Sequence, residues 1–471
     1  MCMERKRMKI LLVQQDTGRR KIKIPLYPLG LSYIATALSH HETKIFDPNA
    51  YAYPDSFEKL RAEIVSFHPD VVGISIRNID TTQRRDLFVE FKTVRPMVQV
   101  IKEKAPHAKI MLGGSGYSIF AREVMEKIPE ADFGIYLEGE ESTPELMDNL
   151  DTPENVLGIY YRKNGEVVFS GPRQLPDFRS ISMPRRDSGV IDIKNYFSPL
   201  HNVIGIQSKR GCLLKCSYCS YLFLNGCHIR MRSPVHVVDE IEYLVTHYGV
   251  TKFTFVDSVF NVPESHAEDI CREIIRRNLK VEWGAWFSLI KFSKEFIELA
   301  KQAGCRHIGS SPDAATDKGL KGLRKSMSVR QIDEHMRIGK EVKGVAIGYN
   351  FFVTHPGQDF RGLLKTIYYM FKIPIMMPGR GGVGVGWIRI EPHTEIYQDA
   401  IAKGMITEKT DLLPENEQQL KKLFYEPVSQ RYITLIMDVV LLITEDVLKP
   451  VVKAFFRVLN KLRGKVSLYD S

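Results

Sequence analysis

The chain has 471 residues, 44% of them apolar and 26% charged, with a net charge of +10, which is the size and composition of two or three soluble domains. The positive charge is spread along the chain, apart from Arg19-Arg20-Lys21 and a basic tail from Lys449 to Lys465, so a nucleic-acid partner, which needs clustered cations, is not expected. Seven cysteines with three inside one motif are no disulfide framework, and Met1-Cys2-Met3-Glu4-Arg5-Lys6-Arg7 lacks the apolar core of a signal peptide, so a reducing, cytoplasmic location is expected.

Residues 1–150 alternate apolar strands with helical stretches. Predicted strands are Ile10–Val13, Lys44–Asp47, Val71–Ser75, Lys109–Gly114 and Phe133–Tyr136, with a helix opening at Pro28-Leu29-Gly30-Leu31. Apolar strands separated by helices predict a doubly wound parallel sheet, whose ligand crevice lies at the strands' carboxyl ends. The pair Gly113-Gly114 sits at such an end and lets backbone approach a bulky ligand. Residues 151–200 read as a connector, with a hairpin over 159–169 turning at Asn164-Gly165.

From 201 to 410 the strand–helix pattern resumes. Val203–Ile206, Phe253–Val256, Val281–Phe287, His307–Ser310, Val345–Phe352 and Val383–Ile390 are the candidate strands. The first delivers Gly211-Cys212-Leu213-Leu214-Lys215-Cys216-Ser217-Tyr218-Cys219. Three thiols at this C-x3-C-x2-C spacing can wrap one corner of a [4Fe–4S] cube and leave its fourth iron open to a small molecule. A zinc knuckle is the rival reading, although structural zinc sites commonly want a second Cys pair that this chain lacks. Residues 411–471 read as helical. Ile433 to Leu442 is very apolar, but Asp438, Glu445 and Asp446 interrupt any membrane span. A basic amphipathic helix over Val452 to Leu462 follows, which would cap the barrel or touch a membrane surface or partner.

The C-x3-C-x2-C motif with an aromatic before its last Cys resembles the signature of the radical S-adenosylmethionine (SAM) enzymes. The resemblance implies a partial (β/α)6 barrel, with Cys212, Cys216 and Cys219 as cluster ligands and Tyr218 near the adenine of SAM. It also implies Asp257 near the SAM amino group, Ser288 and Ser310 near its carboxylate or ribose, and Thr354-His355-Pro356-Gly357-Gln358 as the turn after strand five. The order of features before residue 150 resembles the cobalamin-binding domain fused to many of these enzymes. That implies Ser75, Gly113, Gly114, Glu138 and Gly139 lining the corrin or its tail. The D-x-H-x-x-G motif of His-ligated cobalamin domains is absent, its nearest string being Asp333–Gly339. Arg77, after strand three, is therefore expected at the corrin's lower face, where a guanidinium has no lone pair to give a metal.

Arg389, Glu391 and His393 alternate along the last predicted strand and are expected to share its barrel face, with Glu391 as a substrate-contacting group. Taken together, the resemblance implies a cobalamin-dependent radical SAM methyltransferase. It would pass a methyl from SAM through methylcobalamin to a carbon or phosphorus of a small-molecule, lipid or peptide substrate. An external flavodoxin- or ferredoxin-like electron donor is implied as well. The alternatives are a non-methylating cyclase or rearrangement enzyme and a non-catalytic cobalamin or redox sensor. No cysteine lies between Cys2 and Cys212, which speaks against a two-cluster methylthiotransferase.

Overall fold

A computed structural model describes residues 7–18, 25–197 and 204–444. Cys2, the Arg19–Lys21 cluster and the basic tail lie outside the described residues. The first sheet contains β1 (Lys9–Gln14), β2 (Glu42–Phe46), β3 (Val71–Ser75), β4 (Lys109–Gly113), β5 (Phe133–Ile135), β6 (Ile159–Lys163) and β7 (Glu166–Phe169). Its order is β2-β1-β3-β4-β5-β6-β7, parallel through β5 and antiparallel beyond. The apolar runs behave as predicted: Ile10, Leu11, Leu12 and Val13 are all buried, because a parallel strand has helices on both faces. The strand order reverses at β1 and β3, which opens a crevice at their carboxyl ends.

The predicted hairpin forms, with Asn164 at φ 53° and Gly165 at φ 86°, the paired positive dihedrals of a type I′ turn. It is not part of a free connector. Tyr160 and Tyr161 pair with Gly134 and Phe133, so the hairpin extends the first sheet and covers the edge of the three-residue β5. The connector proper crosses behind both domains. Tyr196 there donates to the Asp47 carboxylate at 2.9 Å, so the acidic residue after β2 anchors the connector.

The second sheet uses β8 (Gly205–Ile206), then, after a two-stranded antiparallel flap of β9 (Lys209–Arg210) and β10 (Arg230–Met231), β11 (Lys252–Phe255), β12 (Glu282–Phe287), β13 (Cys305–Asp313), β14 (Ala346–Phe352) and β15 (Gly381–Gly386). These six strands are parallel and lie in chain order, β8 through β15, with a helix crossing over after most of them. The result is an open six-stranded arc. Phe255, Phe260, Trp283 and Phe287 form its aromatic core. Cys271 and Cys305 are fully buried in it, where a thiol serves as a small apolar side chain.

The last strand is shorter than predicted. It stops at Gly386, and Arg389 makes an isolated bridge with Phe424, while His393 has φ 62°. Alternation therefore does not carry Arg389, Glu391 and His393 onto one face. Gly381-Gly382-Val383-Gly384-Val385-Gly386 is the only extended part of that run because the following Trp387 and Arg389 turn inward to bury. Trp387 donates to Thr434 Oγ1 at 3.1 Å, and Arg389 is paired with Asp80 at 3.1 Å. Among the described residues no helix is long and apolar enough to cross a membrane.

Candidate cofactor-binding site

The cysteine loop is held from several sides. Asp257, just after β11, accepts hydrogen bonds from the Ser208 and Lys209 backbone N–H groups at 2.8 and 3.2 Å and from Ser208 Oγ. Gly211 follows at φ 88°, and a methyl there would collide with the carbonyl of His228, so the loop can start only from glycine. Cys212 N–H donates to Gly226 O at 3.3 Å, Ser217 N–H to Leu323 O at 3.1 Å and Ile396 N–H to Ser217 O at 2.9 Å.

The three thiols are partly buried and free. Burial pushes all of them above the ordinary thiol range, Cys219 to about 12, with the charges of the neighbouring cysteines and of Glu391 adding to that rise at Cys219. Thiols this hard to ionise become good thiolates only against a concentrated positive charge. Lys325 supplies some of it. Its ammonium is buried in an ion pair with Asp313 and lies close enough to Cys216 to lower that thiol's pKa. Among the described residues no three His, Cys, Asp or Glu converge on one ion. A cube, which takes each thiolate on a separate iron, asks for donors farther apart than a single zinc ion does.

The last cysteine leads directly into a cleft of about 660 Å³ between the two domains. One wall is the carboxyl ends of the first sheet, including Gly73, Ser75, Arg77, Gly113, Gly114 and Gly139. The other is the barrel side, including Arg210, Ser220, Tyr221, Val256 and Glu391. Gly114 is at φ 99°, and a methyl on it would stand 2.6 Å from Ile76 O. Gly114→Ala therefore distorts the cleft wall, and it is expected to weaken cobalamin binding at least about tenfold, since the left-handed backbone alone costs roughly 1–2 kcal/mol. Spectrophotometric titration with hydroxocobalamin checks this.

Several predicted site residues are held by partners within the protein. Glu138 borders the cleft, but its carboxylate is bound by Arg210, at 2.8 Å, and by Arg230. Glu140 takes the other arm of Arg210 at 2.6 Å. The Glu138-Gly139-Glu140 turn lines the cleft and also grips the flap that precedes the cysteines. Asp257 has its carboxylate occupied by Ser208 and Lys209, so it shapes the loop. Ser310 is fully buried and donates to Gly348 O at 2.8 Å, and Ser288 is exchanged into a pair of bonds with Asn261. Neither faces the cleft. Tyr218 turns its hydroxyl to Asp313 at 2.5 Å and its ring to Phe352. Of the 389–393 triple, only Glu391 reaches the cleft; Arg389 is buried against Asp80, and His393 is stacked on Phe223 at 3.8 Å.

Other polar residues had no signal in the sequence. Arg186 of the connector and Arg232 of the flap both pair with Glu240, and Arg186 and Glu240 are completely buried. No motif marks them, because their meeting depends on three separate elements. His355 is buried with its ring nitrogen 2.9 Å from Pro356 O, and His335, within the Asp333–Gly339 string, lies in a helix against Tyr349 and Phe292. Cys227 is exposed.

Comparison with known proteins matches residues 17–147 to the B12 binding domain and residues 206–368 to the radical SAM superfamily. The chain carries a B12-binding domain followed by a radical SAM domain. The cofactors of such enzymes are cobalamin and a [4Fe–4S] cluster with SAM. The chain is 30% identical over 299 residues to the anaerobic magnesium-protoporphyrin IX monomethyl ester cyclase of Cereibacter sphaeroides, covering 61% of this chain and 47% of that one. It thus spans about half the length of that relative. It is 24% identical over 373 residues to the cytidylyl-2-hydroxyethylphosphonate methyltransferase of Streptomyces wedmorensis, covering 68% of each. Its fold is shared with the radical SAM methyltransferase TsrM of Kitasatospora setae, solved with cobalamin and a [4Fe–4S] cluster. The TM-score is 0.72 at 20% identity, over 86% of this chain and 80% of that one.

The residues of this B12-binding radical SAM enzyme fit both groups. Three buried, mutually close thiols on one loop form a donor set for three corners of a cube. Glycines at 73, 113, 114 and 139 clear side chains from the wall where a macrocycle would lie. Arg77 stands exposed in that cleft, and no histidine lines it among the described residues.

Proposed function

We propose that this chain is a methyltransferase that moves a methyl group from SAM to a carbon or phosphorus atom of an organic substrate held in the interdomain cleft. The observation that carries the reading is that Ser220 and Tyr221, next to Cys219, line the same cleft as Gly113, Gly114 and Arg77. When bound, the cluster supplies an electron to SAM and cobalamin supplies a methyl carrier. Cys212, Cys216 and Cys219 would hold the first, and Ser75, Gly113, Gly114 and Gly139 the wall against the second. Arg77 would sit beneath the corrin without ligating it, because a guanidinium offers no lone pair. An external flavodoxin- or ferredoxin-like protein would supply the electron.

Glu391 is the residue placed to handle a substrate proton. Burial holds its carboxyl above the usual range, against the opposing effects of Arg389 and a hydrogen bond from Ser220. A raised pKa keeps the acid protonated to higher pH than a free glutamate. If it serves as a base, kcat therefore rises with pH through that raised pKa and levels above it. Glu391→Gln is expected to lower kcat by roughly 10²-fold and flatten that limb of the pH profile, as loss of a general base does.

A cyclase reading is supported by the similarity to the Cereibacter sphaeroides relative. The two separate by product. After anaerobic reconstitution with iron, sulfide and hydroxocobalamin, reduction with methyl-labelled SAM should yield S-adenosylhomocysteine and label on cobalamin. Deoxyadenosine with no label on cobalamin would favour the cyclase.

A further inference from the structure

Among the described residues, half of the large apolar side chains that stand exposed belong to two helical segments of the second domain. Phe360, Leu364, Tyr368, Phe371 and Ile375 lie along the helix Phe360–Met376, each at least half exposed. At 3.6 residues per turn they fall within an arc of about 80°, while Leu363, Thr366, Tyr369 and Ile373 bury on the opposite side. The helix Arg431–Leu441 repeats the arrangement: Leu435 and Val439 are exposed at 67% and 56%, as Ile433 and Met437 bury. The two stripes begin side by side. Gln430 Nε2 donates to His355 O at 2.9 Å and Gln358 O at 3.2 Å, tying the start of the second helix to the turn before the first. A soluble surface scatters such residues; contiguous stripes mark a contact face.

We propose that this face binds the surface of an anionic lipid membrane, the two helices lying in its plane. The charges select that occupant. The helix Phe360–Met376 carries Arg361 and Lys365 and no acidic residue, its third cation, Lys372, being paired with Asp333 at 3.1 Å, and the second helix begins with exposed Arg431. Its Asp438 is already paired with Arg84 at 3.1 Å. A second copy of the chain laid on this face would bring these cations against their own equivalents. The chain's own remaining sequence fits no better as a cover: residues 449–465 contain six Lys and Arg and no acid. A cationic, apolar face is satisfied by phosphate headgroups over acyl chains. Tyr368 and Tyr432 add the amphipathic rings that favour the headgroup level.

The test is flotation of the full chain with vesicles of phosphatidylcholine and phosphatidylglycerol, compared with pure phosphatidylcholine, at low and high salt. The anionic vesicles should bind at least about tenfold more protein, and salt should reduce binding. The triple substitution Leu364→Glu, Ile375→Glu and Leu435→Glu changes only exposed positions. It should abolish flotation while leaving the circular dichroism spectrum and thermal melt unchanged. Arg361→Glu with Lys365→Glu should weaken binding to anionic vesicles alone. The proposal is overturned if the wild type floats with neither vesicle, or if the triple variant floats as well as the wild type. A concentration-dependent dimer that the triple variant breaks, without lipid binding, would instead assign the face to a second copy and overturn it equally.

Discussion

Cys219→Ala is expected to abolish reductive SAM cleavage and leave the purified protein without a stable cluster. Burial pushes the Cys219 thiol up to about 12, and its neighbours Ser220 and Tyr221 open onto the cleft. A cube anchored at three corners by Cys212, Cys216 and Cys219 loses a corner that Cys271 and Cys305, sealed in the core, cannot replace. Iron and sulfide analysis of the reconstituted protein gives the readout. Cys305→Ala is the control. It should keep its iron and cost about 1 kcal/mol of stability through a small cavity. Full cluster content in the Cys219 variant would remove that residue from the ligand set.

Glu138→Ala should be the most damaging change outside the cysteines. Its carboxylate, 8% exposed, is shared by Arg210 and Arg230, at 7% and 14%. Arg210 is further stacked on Phe178 and Tyr33, with centroid distances of 4.4 and 5.1 Å. Removing the acid leaves Arg230 with only the carbonyls of Pro176 and Asn225. Taking one partner from a buried ion pair typically costs roughly 3–5 kcal/mol, because the other charge stays desolvated. The damage should be directional. Arg210 immediately precedes Gly211 and the cysteine loop, so the variant should lose grip between the domains and assemble its cluster poorly, even though no ligand has changed. Limited proteolysis should cut between the domains faster, and iron incorporation should fall. A double variant, Glu138→Ala with Arg230→Ala, should recover part of the stability by removing the stranded charge. Unchanged proteolysis and iron content in Glu138→Ala would show that the two domains are held by other contacts.

The cysteine spacing, the five apolar strands before residue 150, the Asn164-Gly165 hairpin and the six-strand pattern after 203 were all legible along the chain. Each depends on neighbours in sequence: a chelating loop on the separation of its thiols, a buried parallel strand on a continuous apolar run, a type I′ turn on residues that accept positive φ. The placement of Gly113 and Gly114 at a strand end, and hence in the crevice, follows from the same local rule. The polar residues predicted for the site have partners that the sequence did not show. Glu138, Asp257, Ser288 and Ser310 sit where a strand-end rule puts ligand contacts, yet each is drawn off by a partner far away in the chain. For Glu138 these are Arg210 and Arg230; for Asp257, Ser208 and Lys209; for Ser288, Asn261; for Ser310, Gly348.

The same holds for what was missed. The buried Arg186–Glu240 pair joins segments 54 residues apart, and the Lys325–Asp313 pair comes up beside Cys216 from a distant part of the chain. The end of β15 at Gly386 was set by the burial of Trp387 and Arg389 against Thr434 and Asp80, which separated Glu391 from His393. The sequence by itself determined the elements, the cluster loop and the two-domain plan, because local periodicity and spacing encode them. Only the tertiary structure decided which charges face the cleft and which lock it, because a buried ion's partner is chosen by which distant backbones pack together.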